Sequence, residues 1–253
     1  MATTLTQLVA YCDQTLDASR FSDYCPNGLQ VEGRSEVTRL VCAVTANQSV
    51  VDAAVAANAD VLLVHHGYFW RGEAPQVVGM KRRRLHALLD AGISLLAYHL
   101  PLDAHPTLGN NAQLGRRLDI RGFDALGETD AASVGNCGTF DPPRTVGEVV
   151  TQLEALTGRA PLLIGDDTRE ISRVAWCTGA AQGYLDRAVS AGAQLYISGE
   201  ISEQTVHEAR EQGIAYVAAG HHATERYGVQ ALAEHLADTF DLNWAFIDCD
   251  NPV

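Results

Sequence analysis

Two stretches of this chain read alike. Residues 37–67 and 171–201 align without a gap at an offset of 134, and each runs apolar strand, helix with an apolar face, small-residue turn, second apolar strand. Arg39/Arg173, Gln48/Gln182, Asp52/Asp186 and a series of alanine and valine pairs are identical across that alignment. A second match, at an offset of 121, pairs His86 with His207, Gly92 with Gly213, Ile93 with Ile214 and Ala97 with Ala218. A strand–helix–strand unit used twice points to a layered α/β architecture, because parallel strands need a crossover long enough to hold a helix. The expectation is two related α/β domains made by internal duplication, 1–126 and 127–253.

Around these matches the pattern predicts a helix over 5–16, a turn-rich stretch at Cys25-Pro26-Asn27-Gly28, and strand, helix and strand up to Gly67. A helix near 81–91, a strand near 93–98 and a helix over 111–118 follow. From about 125 to 167 the alternation is interrupted, with no counterpart in the first half. A strand over 133–140 should be broken by Pro142-Pro143, and Thr145-Val146-Gly147-Glu148 has the form of a capping box opening a helix to Thr157. A helix over 229–238 and a strand over 244–248 close the chain.

With 253 residues, 47% hydrophobic and 19% charged, the chain can bury ordinary cores without staples. Its 18 basic against 31 acidic residues, a formal charge of -13, argue against nonspecific nucleic-acid binding, which needs a basic face. Lys81-Arg82-Arg83-Arg84 is expected to be a solvated helix face in preference to a phosphate site. No apolar run approaches the roughly 18 residues that span a bilayer. The start of the chain, with Asp13 and no basic residues before it, reads as an amphipathic helix and not a secretion signal. Six scattered cysteines without a CxxC pair suggest reduced thiols, a cytoplasmic location and poor metal ligands.

The chemistry-bearing residues fall at the ends of apolar runs. His65-His66-Gly67 closes Val61–Val64, Asp103 follows Ile93–Leu96, and His221-His222-Ala223-Thr224-Glu225 follows Ile214–Ala219. In open α/β sheets, ligands bind beyond the carboxyl ends of strands. Adjacent His65 and His66 point to opposite sides of an extended strand, so both can serve one site only if the backbone turns at Gly67. His221 and Glu225, four residues apart, share one face of a helical turn, which leaves His222 as a neighbour. Three imidazoles and two carboxylates suit Zn, Fe, Mn, Co or Ni better than Ca. A cleft between the two domains would bring them together as a dinuclear site, where hydrolysis by metal-bound hydroxide is the default chemistry. His99 and His207, near the ligand-bearing segments, are candidates to carry protons. His86, His105 and His235 are expected in structural roles, Asn110-Asn111 as a helix cap, and Glu200 as a carboxylate standing in the repeat where His66 stands.

Longer runs carry a resemblance across nearly the whole chain: PNGLQVEG (26–33), VHHGYFWRGE (64–73), YHLPLDAHPTLGNNAQL (98–114), VAWCTGAAQ (174–182), SGEISEQTVHEAREQG (198–213) and AAGHHATER (218–226). In this order they resemble the NIF-three-like (Ngg-interacting-factor-three) family, whose bacterial members are named GTP cyclohydrolase 1 type 2 homologues. The resemblance implies two divalent metal ions per subunit between two α/β domains, with His65, His66, Asp103, His221 and Glu225 as ligands. It also implies a homohexameric ring built as a trimer of dimers, and opening of the GTP imidazole ring with loss of C8 as formate. The expected function is therefore metal-dependent hydrolysis of a nucleotide or other small anionic molecule. The competing expectation is a non-catalytic ring-shaped protein that binds metal or a partner.

Overall fold

The apolar runs become the strands of two separate sheets in the computed structural model, which describes residues 3–127 and 134–253. Each sheet belongs to one of two compact units, the first comprising residues 1–102 and 228–250 and the second 103–227 and 251–253.

The first unit contains β1 (Thr3–Thr4), β2 (Gly28–Val31), β3 (Glu36–Val37), β4 (Arg39–Thr45), β5 (Val61–His66) and β6 (Ser94–Ala97). Strands β4, β5 and β6 are parallel, with β2 antiparallel on the far side of β6; β1 and β3 form a small ladder of their own. Helices α1 (Leu5–Thr15), α2 (Gln48–Ala56) and α3 (Gly79–Ala91) are placed by local chemistry. Thr4 and Gln7 form a capping box on α1, the Asn47 side chain accepts from the Val50 N–H to open α2, and Gly92 at φ +65° ends α3 in a conformation that costs a Cβ-bearing residue energy. Val51 and Ala54 of α2 and Leu85 and Leu88 of α3 share one core with Leu62 and Leu95 of the sheet. The middle strand β5 is buried from Val61 to His65, which explains why it reads as an unbroken apolar run and not as an alternation.

The division between the units falls inside the short helix α4 (Leu100–Ala104). The second unit then holds α5 (Asn110–Arg117), β7 (Arg121–Ala125), β8 (Asn136–Thr145), α6 (Val146–Thr157), β9 (Leu162–Ile164), β10 (Glu170–Cys177), α7 (Leu185–Ser190), β11 (Leu195–Ser198), α8 (Glu203–Glu211), β12 (Ala215–Ala218) and α9 (His221–Thr224). Its sheet runs β7-β8-β10-β11-β12-β9, with β10, β11 and β12 parallel and β8 and β9 antiparallel to their neighbours. Trp176, Ile197 and Val217 pack with Val149 and Leu153 of α6. The capping box expected at Thr145 and Glu148 is present, and Gly158 at φ +73° ends that helix.

The strand registers of the two sheets repeat. Leu40↔Val61 in the first recurs as Val174↔Leu195 in the second, Val61↔Ser94 as Leu195↔Ala215, and Gly28↔Ala97 as Leu162↔Ala218, at the offsets of 134 and 121 seen in the sequence. The last of these corrects the expectation that residues 125–167 have no counterpart. Leu162–Ile164 pairs as Gly28–Val31 does, but only Leu29/Leu163 is identical, so backbone pairing preserves what side chains have lost.

Two further expectations are revised. Strand β8 runs through Pro142-Pro143. Its pairing with β10 is interrupted between Arg144↔Ile171 and Thr139↔Arg173, and its pairing with β7 spans only Asn136–Thr139, so the prolines sit where no ladder hydrogen bond is required of them. A single cut near residue 126 also differs from the packing. Helix α10 (Arg226–Phe240) leaves the second unit after Tyr227, and β13 (Asn243–Phe246) pairs parallel with β4 of the first, Trp244 opposite Leu40. Among the described residues, no helix is long and apolar enough to cross a membrane.

Candidate metal centre

In the first unit, three histidines meet where β5 and β6 end. His65 is fully buried, and its Nδ1 lies 2.9 Å from the Tyr98 carbonyl oxygen. A carbonyl only accepts, so Nδ1 carries the proton and Nε2 is the lone-pair nitrogen. His66 reaches the other way, its Nδ1 3.0 Å from Thr45 Oγ1 on β4. The strand stays extended through His66, yet the two rings are 4.6 Å apart, so convergence does not need the turn expected at Gly67. Gly67 is required for a different reason, because a Cβ there would lie 2.2 Å from Gln30 Oε1 and 2.6 Å from Ala97 Cβ. The third ring is His99, with centroids 5.0 Å from His65 and 5.7 Å from His66. One donor atom from each of the three lies within 4.8 Å of the others.

His99 is held by Asp23, a residue in the turn-rich stretch that no spacing singled out. Asp23 Oδ1 accepts from His99 Nδ1 at 2.8 Å and from the Tyr24 N–H, and Oδ2 accepts from Asn27 Nδ2 and the Leu100 N–H at 2.9 Å each. Burial opposes its ionisation, but the bond from His99, helped by those from Asn27 and Leu100, outweighs burial and lowers the carboxyl to about 2. The folded state therefore gains stability from this carboxylate above pH 3.8, and loses it as the pH falls through 2. Asp23→Asn should cost about 2 kcal/mol at pH 7 and flatten the acid limb of the stability profile between pH 4 and 2, measured by urea unfolding across that range. An unchanged acid limb would rule out this carboxylate as its source. Cys25 lies beside Asp23 and His99 in a second candidate group, where burial, reinforced by the Asp23 charge, pushes its thiol to about 12.

In the second unit, His221 and Glu225 follow β12, and Asp103 stands in α4 at the unit's first residue. Helix α9 opens with His221, and Glu225 follows its last residue, which places the His221 Nε2 3.2 Å from Glu225 Oε2 as the four-residue spacing anticipates. His221 Nδ1 lies 2.6 Å from Glu200 Oε1, so the carboxylate that stands in the repeat where His66 stands anchors a histidine. Burial opposes the charged ring of His221, yet bonding and charge from Glu225 and then Glu200 raise it to about 9. Glu225 is buried at 3% exposure. Its cradle depends on glycine: at Gly179, φ +72°, a Cβ would lie 2.2 Å from Glu225 Oε1. Thr224 Oγ1 accepts from the Gly179 N–H and donates to the His221 carbonyl, tying the loop after β10 to α9.

Asp103 is braced by the two asparagines expected to cap a helix. The N-cap of α5 is Gly109, with no side-chain bond; Asn110 and Asn111 are buried just inside the helix. Asn110 Nδ2 donates to Asp103 Oδ1 at 2.9 Å, and Asn111 Nδ2 donates to the Asp103 carbonyl while its Oδ1 accepts from the Thr178 N–H. A hydrophobic substitution at Asn111 would leave buried partners unpaired, which is why an amide stands there.

The remaining singled-out groups lie elsewhere. His207 pairs with Glu203 on an exposed face of α8, and His235 meets the Tyr11 hydroxyl at 2.8 Å. Arg82 and Arg83 are exposed on α3, whereas Lys81 and Arg84 are half-buried and Lys81 pairs with Glu73 at 3.4 Å, so only part of the basic run is the solvated face expected. The His222 N–H donates to the Val253 carbonyl.

Imidazoles with one nitrogen anchored on an oxygen, joined in the second unit by buried carboxylates, form a donor set that fits a borderline divalent ion. These clusters at strand ends define the protein as a mixed α/β protein with candidate metal-binding residues. The sequence profile of Duf34/NIF3 (NGG1p interacting factor 3) matches residues 3–252, and the chain belongs to that family. A protein of Pseudomonas aeruginosa named GTP cyclohydrolase 1 type 2 homolog is 56% identical over 253 residues, 100% of each chain. The Escherichia coli protein of the same name is 49% identical over 249 residues, 98% of this chain and 99% of that one. Among solved structures, protein ybgI, of unknown function, matches with a TM-score of 0.92 at 47% identity, covering 99% of this chain and 100% of that one. A Thermus thermophilus protein matches with a TM-score of 0.90 at 36% identity over the same shares.

Proposed function

We propose that this protein is a metal-dependent hydrolase in which two divalent ions are held by His65, His66, Asp103, His221 and Glu225. The carrying observation is the anchoring of the imidazoles: His65 on a carbonyl, His66 on a hydroxyl and His221 on a carboxylate, each through Nδ1. The repeated strand registers support descent of the units from one duplicated ancestor. A homohexamer, trimer of dimers, belongs to the same reading through the family resemblance, and a cytoplasmic location through the scattered cysteines.

Zn, Fe, Mn, Co or Ni ions there would acidify a water molecule and polarise the oxygen of a substrate. The protein's own groups prepare that chemistry. Glu200 and the Tyr98 carbonyl fix the tautomers of His221 and His65, and Asn110 holds the Asp103 carboxylate in one orientation. The proton shared between His221 Nε2 and Glu225 must leave when a cation arrives, so uptake at neutral pH releases a proton. The relatives' name, GTP cyclohydrolase 1 type 2 homolog, favours a nucleotide or a related small anion as substrate.

The test is metal analysis of freshly isolated protein, coupled to a turnover screen of GTP and other small anions before and after chelation. Two ions per chain and chelator-sensitive hydrolysis are expected, with formate release from GTP marking the narrower activity. Bound metal without turnover across the screen would select the non-catalytic reading.

A further inference from the structure

The two sheets repeat their pairing, but the residues around equivalent strand ends differ in charge. At the offsets of 121 and 134, His99 corresponds to Gly220, Cys25 to Arg159 and Asp23 to Thr157. In the first unit these positions carry an imidazole held by a carboxylate. In the second the imidazole is gone and a guanidinium reaches into its place: a Cβ at Gly220, φ +100°, would lie 2.6 Å from Arg159 Nη1 and 2.8 Å from its Cδ. Gly220 directly precedes His221, so the cation stands against the backbone that carries a proposed metal ligand. The carboxylate is gone too, and the Thr157 hydroxyl points at the carbonyl oxygens of Leu153 and Arg159. Arg159 Nη1 is buried with no hydrogen-bond partner among the described residues, a costly state for a donor on a permanent cation. Structural arginines in this fold look different. Arg39, Arg173 and Arg169 donate to the carbonyls of Ala57, Ala191 and Gly213, each just past the end of a helix. Arg159 follows α6, yet its Nη1 has no such acceptor.

We propose that Arg159 is a substrate-binding residue of the second unit, holding a phosphate group of a small anionic substrate beside His221. A guanidinium stays charged at any working pH, and its parallel N–H groups match phosphate oxygens in pairs. Arg159 is half-buried, so its charge is screened less than on an open surface and a bonded anion is held more strongly. A fixed positive charge repels a metal ion, so this residue serves the anion and not the cation. Glycine at position 220 leaves room for the guanidinium, which any side chain there would displace. The anion site rests on the hydrolase reading for calling its ligand a substrate, and adds the group by which that substrate is held.

Inorganic phosphate is titrated into metal-free full-length protein and followed by calorimetry, so that neither turnover nor a bound ion contributes to the signal. Saturable binding is expected, weakened about 10-fold or more in Arg159→Gln and by less in Arg159→Lys, which keeps the charge and loses the paired N–H groups. Co2+ affinity, titrated separately, should stay at the wild-type value or rise in Arg159→Gln, the opposite of what losing a ligand does. Arg159→Lys carries the comparison if circular dichroism shows the glutamine variant unfolded. Wild-type protein without saturable phosphate binding, or a folded variant that binds phosphate as tightly as wild type, overturns the inference. A fall in Co2+ affinity equal to that in phosphate affinity would make Arg159 a prop for α9 and overturn it too. Phosphate binding that depends on Arg159, in protein that takes up no Co2+, keeps the anion site and removes the hydrolase reading.

Discussion

Glu225→Gln should reduce bound divalent metal from two ions per chain to one or none, and lower turnover at least 100-fold, more than the roughly 10–100-fold typical of residues that only support a ligand. The substitution keeps shape and removes charge. Glu225 is buried, so packing changes little, but a neutral amide is a far weaker cation ligand than a carboxylate. In metal-free protein the effect is smaller, about 1–2 kcal/mol at pH 7, because His221 keeps Glu200 as a partner. The pH dependence has a definite sign. His221 is raised from 6.5 to about 9, so its pairing stabilises the metal-free fold fully below pH 6.5 and ceases to do so as the pH rises through 9. The variant should lose less stability across that window. Inductively coupled plasma analysis that found two ions still bound to Glu225→Gln would remove this residue from the ligand set.

Gly199→Ala should destabilise the second unit by about 3 kcal/mol, at the upper end of ordinary overpacking. An added Cβ would lie 2.6 Å from the Gly179 carbonyl oxygen and 2.7 Å from His221 Cα. Both obstacles are backbone, so no side-chain rotation relieves them. The same backbone is joined by hydrogen bonds: the N–H groups of Gly199 and Glu200 donate to the Gly179 carbonyl, and Gly220 N–H donates to the Gly199 carbonyl. Displacing it shifts the start of α9 and with it His221, so metal affinity should fall together with the denaturation midpoint. A variant with wild-type midpoint and affinity would mean that the loops after β10, β11 and β12 are less tightly joined than these distances require.

How far the site could be read in advance depended on whether each signal was local. The capping box at Thr145 and the four-residue spacing of His221 and Glu225 are local, and the structure reproduces both. The recurrence of strands at constant offsets was also legible, because the pairing of parallel strands preserves chain separation. Asp23 was not, since its partner His99 lies in a different segment and a turn carboxylate looks like any other. Asn110 and Asn111 carried a misleading local signal. Asparagine near a helix start reads as a cap, whereas burial in the fold turned both toward Asp103. Beside them, Gly179 and Gly199 had no visible reason to be glycine until their neighbours were placed.

The amino-acid order alone determined that the chain is α/β, that its strand–helix units recur, and that histidines and carboxylates fall at strand ends. Periodicity and turn chemistry act within a few residues, and these features need nothing longer. Only the tertiary structure decided which nitrogen of each imidazole is anchored, which asparagines brace Asp103, and that the last strand returns to the first sheet. Those outcomes follow from satisfying buried polar groups and strand edges with whatever the fold brings near, and that nearness is not a property of sequence distance.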